Sequence, residues 1–256
     1  TFQTHFFDEY KPELNGEIQV PVEAVEPMAF NLRKICGRRG ALEIQPNTFV
    51  NVGGGISEAV ANVAAEEGIS DKILLGVESG LIGGVPVVGA IGSAYNPEVM
   101  IRQPECFDLY NGGLLDISFL GCAEVDVEGN VNVTKFNGKV IGPGGFVNIT
   151  QNTKKICFLA TFTAGKIEAE FGDGTLTIKK DGEHRKFVQK VEQISFSGKQ
   201  AIANGQEILY ITERAVFRLT PEGVMLIEVA PGVDLDRDIL TKMDFKPLIA
   251  QNLKQM

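Results

Sequence analysis

The residues best placed to do chemistry lie in Leu74-Leu75-Gly76-Val77-Glu78-Ser79-Gly80. A short apolar run ends in Gly-x-Glu-x-Gly, which sets one carboxylate where the backbone turns sharply. α/β hydrolases present a serine on a comparable elbow, but here the central residue is glutamate. Ser79 is off centre, and the two histidines, His5 and His184, lie near opposite parts of the chain, which argues against a serine triad. A glutamate on such a turn can serve as a base or as a covalent nucleophile, or it can be a solvated turn residue. As a nucleophile for acyl groups it needs a carboxylate partly stripped of water and amide donors for an oxyanion. Two glycine-rich segments could supply such donors without side-chain obstruction: Val52-Gly53-Gly54-Gly55-Ile56 and Gly142-Pro143-Gly144-Gly145-Phe146.

Neither segment is a nucleotide motif by itself. Gly53-Gly54-Gly55 has Glu58 where Gly-x-Gly-x-x-Gly ends, and no Gly-x-x-x-x-Gly-Lys-Ser/Thr run occurs. Metal chemistry has little to stand on, since neither histidine belongs to His-Glu-x-x-His. Cys36, Cys106, Cys122 and Cys157 are scattered without a Cys-x-x-Cys pair. They read as buried small hydrophobes in a reducing compartment, which points to the cytoplasm. Asp126-x-Glu128-Gly129-Asn130 has a faint calcium-loop flavour but reads better as a hairpin turn.

The elements that must position Glu78 follow from periodicity. Pro27 opens a helical pattern through Met28, Phe30, Leu32 and Ile35 that closes at Gly37. Phe49, Val50 and Val52 form a strand, Gly53–Gly55 a turn, and Ser57 an N-cap for an Ala-rich helix that ends before Gly68. Ile73-Leu74-Leu75 is the next strand. Helices alternating with buried-type strands predict an α/β fold with an open, mostly parallel sheet flanked by helices. Further strands are expected at 85–91, 117–120, 140–141 and 157–161. The last third turns to β-hairpins: one across Gly172-Asp173-Gly174, then strands at 208–211, 215–219 and 224–228. Helices are expected at 234–243 and from Pro247 to the end. His184, Arg185 and Lys186, with Lys179 and Lys180, form a local basic patch.

The chain of 256 residues is 44% hydrophobic and 22% charged, enough to bury a core, and 29 of its residues are glycine. Its net charge of -9 argues against nucleic acid or an anionic membrane as partner, and no apolar run suits a membrane span. The absence of a leading Met and the polar start suggest a processed chain or the second part of a longer one. Residues 1–41 read as a leading linker segment and 42–256 as the catalytic unit.

Four segments in order resemble the catalytic domain of class I coenzyme A transferases: Val50–Ile56, Glu78-Ser79-Gly80, Gly113–Gly121 and Gly142–Phe146. Glu124-Val125-Asp126 and Gly129-Asn130-Val131-Asn132 add to the likeness, which covers residues 42 to 256. It resembles above all the bacterial single-chain acetate or propionate CoA-transferases, whose amino-terminal half has no counterpart here. The resemblance implies a ping-pong transfer of CoA between a short-chain acyl-CoA and a carboxylic acid. Glu78 would pass through an acyl-glutamyl anhydride and a glutamyl-CoA thioester, with CoA as substrate and transient adduct, no permanent cofactor and no metal. It further implies that the amide of Gly145 (or Gly144) and one in Val52–Gly54 hold the oxyanion, and that Gly53, Gly54, Gly55 and Ile56 line the CoA path. Lys166 becomes a candidate for a CoA phosphate, and Asn132 and Asn96 for orienting the carboxylate. The expected partners are the amino-terminal half and further copies in a homo-oligomer. Apolar neighbours such as Ile82, Val85 and Phe146 suit a short aliphatic acid, although Arg102 stands nearby in sequence. The competing readings are a CoA-ester hydrolase on the same scaffold and a non-catalytic small-molecule sensor.

Overall fold

The computed structural model describes residues 10–21, 27–86 and 92–256. His5 and residues 87–91 of the expected strand at 85–91 lie outside them. Five helices and one large sheet organise the described residues. The helices are α1 (Leu32–Ala41), α2 (Glu58–Glu66), α3 (Gln103–Asn111), α4 (Phe146–Asn152) and α5 (Gly198–Ala203). The strands of the large sheet are β1 (Phe49–Val52), β2 (Leu74–Val77), β3 (Leu81–Ile82), β4 (Val99–Met100) and β5 (Ile117–Gly121), followed by β6 (Lys155–Leu159), β7 (Glu207–Ile211), β8 (Ala215–Thr220), β9 (Gly223–Val229) and β10 (Leu248–Gln255).

The spatial order is β10-β9-β8-β7-β6-β5-β1-β2-β3-β4. Its centre, β7-β6-β5-β1-β2, is parallel, and antiparallel strands flank it on both sides. The fold is therefore the α/β arrangement expected from the sequence, with hairpins in the last third. Alternate residues of the central strands feed two cores, one on each face. Val50, Cys157 and Leu209 pack with Cys36 of α1 and Val60, Ala61 and Ala64 of α2. Phe49, Ile156 and Ile208 pack with Tyr110 of α3, Ile149 of α4 and Ala201 of α5. Because these strands are covered on both faces, they read as nearly continuous apolar runs.

Several local expectations shift. The first helix starts at Leu32, where the Asn31 carboxamide oxygen accepts the Lys34 amide at 3.1 Å, and it runs through Gly37 instead of ending there. Gly37 is a crossing point: a Cβ on it would stand 2.7 Å from the Ala59 backbone, so its lack of a side chain lets α1 lie directly on α2. Ser57 stands at the N-cap position of α2, as expected, but its side chain makes no cap hydrogen bond. It sits in a 3-10 turn, and its hydroxyl donates to the carbonyls of Gly53 (2.7 Å) and Gly54 (3.1 Å), which fastens the glycine loop onto α2.

The expected helix after Pro247 is strand β10, parallel to β9. Its side chains are exposed or half-buried throughout, so they carry no period that could separate helix from strand, and edge pairing decides. The expected helix at 234–243 is a π-helical turn, Leu235–Ile239, followed by a 3-10 turn. Its first turn is capped by the Asp234 carboxylate accepting the Arg237 amide at 2.7 Å. The Asp126 segment is a hairpin turn: Asp126 Oδ1 accepts the amides of Glu128 (3.1 Å) and Asn130 (3.0 Å).

Candidate active site

Because β1, β2, β5, β6 and β7 are parallel, their carboxyl ends share one edge, where open α/β sheets bind ligands. Gly53, Glu78, Cys122 and Ala160 follow directly after β1, β2, β5 and β6. Glu78 opens a three-residue turn from β2 into antiparallel β3, closed by the Gly80 amide on the Val77 carbonyl at 2.9 Å. Gly80 takes φ +108°, as the last position of such a turn requires. Its carbonyl accepts the Ile101 amide (2.9 Å), while the Ser79 hydroxyl donates to the Gly92 carbonyl (2.9 Å). The elbow is thereby clamped on both sides of the glutamate.

The Glu78 carboxylate is half-buried and, among the described residues, has no hydrogen-bond or ion-pair partner. Desolvation alone raises its pKa above the ordinary 4.5. Its oxygen Oε2 lies where a side chain on Gly145 would be, and the Phe107 ring closes the same spot. Cys106 and Tyr110 of α3 stand close enough for the Glu78 charge to raise the pKa of both, after the larger effect of burial. The Cys106 thiol points to the Val77 carbonyl at 3.8 Å. Tyr110 is fully buried against Phe49 and Phe107, and its hydroxyl has no hydrogen-bond partner. The buried Asn51 carboxamide, in register with Gly76, is equally without partners. Phe107, Cys106 and Tyr110 were not visible as site residues in the sequence, since α3 carries no motif; their spacing on one short helix was the only available sign.

The two glycine segments both reach this edge. The Gly53 amide is engaged by the Phe119 carbonyl at 2.9 Å, while the amides of Gly54, Gly144 and Gly145 donate to no acceptor among the described residues. Gly145 is the N-cap of the short helix α4 and lies against the Glu78 carboxylate. Ile56 packs over Gly121, which places the loop along the strand ends.

Other expected site residues lie elsewhere. The Lys166 side chain, two residues before the hairpin strand Glu168–Gly172, is 76% exposed and pairs with Glu168 at 3.4 Å. Asn132 donates to Glu124 Oε2 and the Lys135 carbonyl, both at 2.7 Å. Asn96 exchanges hydrogen bonds with the Val20 backbone. Neither asparagine touches Glu78. Arg102 pairs with Glu105 on the exposed surface.

At the carboxyl edge of this α/β sheet, then, stands an unpaired, desolvated carboxylate set against Gly145. The chain belongs to the coenzyme A transferase family, whose model matches residues 36–237. It is 45% identical to caffeate CoA-transferase of Acetobacterium woodii, over 96% of this chain and 48% of that protein. Acetate CoA-transferase YdiF of Escherichia coli O157:H7 is likewise 45% identical, over 95% of this chain and 46% of that one. The YdiF apoenzyme crystal structure superposes with a TM-score of 0.91 at 42% identity, covering 100% of this chain and 48% of YdiF. A YdiF thioester complex with CoA gives 0.89 at 41% identity, covering 99% and 48%. The acetate CoA-transferase subunit beta of E. coli K12, a shorter relative, is 28% identical over 77% of this chain and 85% of its own length. This chain thus spans about half the length of the caffeate and YdiF CoA-transferases it matches. Among the described residues, no helix is long and apolar enough to cross a membrane.

Proposed function

We propose that this chain carries the nucleophile of an acyl-CoA:carboxylate CoA-transferase acting on short-chain acids, with Glu78 as that nucleophile. The observation that carries the reading is the Glu78 carboxylate itself: half-buried, without a partner and set against Gly145. Its oxygen attacks the thioester carbonyl of an acyl-CoA, and the C–S bond breaks to release CoA thiolate. The thiolate then attacks the glutamyl carbonyl of the mixed anhydride, freeing the first acid and leaving CoA on Glu78. A second carboxylate reverses both steps and departs as the new acyl-CoA. At each tetrahedral stage an oxyanion forms, and the free amides of Gly54, Gly144 and Gly145 are the donors available to it. Removing one such donor costs roughly 3–4 kcal/mol of transition-state stabilisation.

The matched relatives support a two-part enzyme, since some are single chains of twice this length and others are named as subunits. The test is intact mass and peptide mapping after incubation with acetyl-CoA, with the amino-terminal half present. A CoA-sized adduct on the Glu78 peptide that acetate discharges is the expected result. No adduct under those conditions, or an adduct that persists in Glu78→Ala, overturns the proposal.

A further inference from the structure

The loop Gly53–Gly55 could present either its carbonyls or its amides to the Glu78 carboxylate, since peptides flanked by glycine turn either way at little cost. Three contacts decide which. The Ser57 hydroxyl, on a residue with no exposed surface, donates to the carbonyls of Gly53 at 2.7 Å and Gly54 at 3.1 Å. The Arg33 guanidinium, one turn before Cys36 on α1, donates to the Gly55 carbonyl and stands 3.7 Å from Glu58. Both tethers come from the face of the sheet that α1 and α2 cover through Cys36, Val60, Ala61 and Ala64. Glu78 Oε2 lies on the other face, against Gly145 and the Phe107 ring, where α3 and α4 pack through Tyr110 and Ile149.

A trans peptide is planar, with its carbonyl and the N–H that follows pointing opposite ways. Carbonyls of Gly53 and Gly54 drawn back to Ser57 therefore aim the amides of Gly54 and Gly55 towards the α3 and α4 side, where Glu78 stands. The Gly55 carbonyl drawn back to Arg33 does the same for the amide of Ile56. The Gly54 amide donates to no acceptor among the described residues, so it is open to whatever sits on that side. We propose, resting on the CoA-transferase reading, that Ser57 and Arg33 are positioning residues that lock the Gly53–Ile56 peptides with their N–H groups turned to the Glu78 reaction centre. Gly54 and Gly55 are exposed, so water reaches the loop from the cleft. Without the Ser57 hydroxyl the Gly53 and Gly54 carbonyls lose their donor and recover one by turning out to that water. Carbonyl oxygens would then face a developing oxyanion and repel it.

The experiment measures steady-state transfer from acetyl-CoA and the formation of the Glu78 adduct in the intact two-part enzyme. Ser57→Ala is expected to lower kcat roughly ten- to a hundredfold, the bias that an unpaired carbonyl puts on a flexible peptide. KM for acetyl-CoA should stay within about twofold, because the amides act on charge that develops only in the transition state. Arg33→Met should lower kcat in the same way. Arg33→Lys, alike in length to Met but keeping a donor for the Gly55 carbonyl, should recover most of that loss. Three results overturn the inference while an adduct on Glu78 leaves the transferase reading standing: wild-type kcat in folded Ser57→Ala, a rise in KM at constant kcat, or equal losses in Arg33→Met and Arg33→Lys. A wild-type enzyme that forms no adduct overturns that reading, and the inference with it. Should Ser57→Ala fail to fold, the two Arg33 variants carry the same comparison.

Discussion

Gly145→Ala tests whether the Glu78 carboxylate works from the position seen here. The backbone at 145 has φ -78° and ψ 0°, which alanine adopts without strain, so the substitution acts through space and not through conformation. The added methyl carbon would stand 2.7 Å from Phe107 Cζ and nearer still to Glu78 Oε2. Ordinary contact needs about 3.5 Å, so the carboxylate must retreat by roughly 1 Å and the ring by nearly as much. The carboxylate is the softer of the two, because no hydrogen bond or ion pair holds it, whereas Phe107 packs on the fully buried Tyr110. A nucleophile misplaced by about 1 Å loses on the order of a hundredfold in rate, or about 2.7 kcal/mol. Steady-state transfer from acetyl-CoA should therefore show kcat down about a hundredfold, with a loss of roughly 1–3 kcal/mol in stability from the displaced Phe107 ring. Activity within twofold of wild type would refute the geometry, because Glu78 would then be reacting from somewhere other than beside Gly145.

Glu78→Gln should abolish the CoA adduct and change stability in a pH-dependent way. The folded-state pKa is raised, so between about 4.5 and that higher value the folded state holds more protons than the unfolded state. Glu78 therefore costs stability as pH rises through that window, and the cost persists above it. Measured by urea melts, the Gln variant should gain on wild type from pH 4 towards pH 7, and parity across the range would contradict the desolvation argument. In the wild-type enzyme the acidic limb of kcat/KM should lie above pH 4.5, since only the carboxylate attacks. Gly80→Ala combines a φ of +108° with a methyl pressed into the Ile101 carbonyl, so a loss of at least ~1–3 kcal/mol in chemical denaturation is expected. Arg214→Met removes a fully buried guanidinium that binds Glu213, Asp181 and the Asp238 carbonyl. It leaves the buried Glu213 without its cation, and denaturation should report a loss of ~3–5 kcal/mol.

What could be read from the sequence was what is local. The β1–loop–α2 unit and the Glu78 elbow announce themselves through an apolar run, a glycine and a helix-forming stretch, all within a few residues. The hairpin at Asp173-Gly174 was visible for the same reason. Strand β10 was not, because a solvent-facing edge strand owes its state to the strand beside it, and nothing in Leu248–Gln255 encodes that neighbour. Ser57 shows a subtler failure: the right residue stood at the right place, but its hydroxyl served the loop carbonyls and not the helix amides. The approach of Glu78 to Gly145 is tertiary and was reached only through resemblance, and its approach to α3 was not reached at all. The asparagines near the elbow in spacing proved to bind elsewhere, since a hydrogen-bonding residue takes the nearest unsatisfied backbone group.

On the proposed reading, a glutamyl thioester on Glu78 must escape water, because hydrolysis and transfer differ only in which nucleophile reaches it. From below, Glu78 is sealed by Phe107, Cys106 and Tyr110 and by the clamped elbow. The upper rim is different. Val140 and Ile141, on the hairpin that leads into Gly142–Gly145, are 73% and 72% exposed, and Val147 on α4 and Val99 and Met100 beside the elbow are exposed too. Contiguous exposed apolar surface is stable in water only at a cost and marks faces that another body covers. On the two-part reading, this half supplies the nucleophile and the oxyanion donors as a rigid frame, and the covering half supplies dryness. The choice of carboxylic acid then belongs to both, since the acid must enter between Glu78 and whatever rests on that rim.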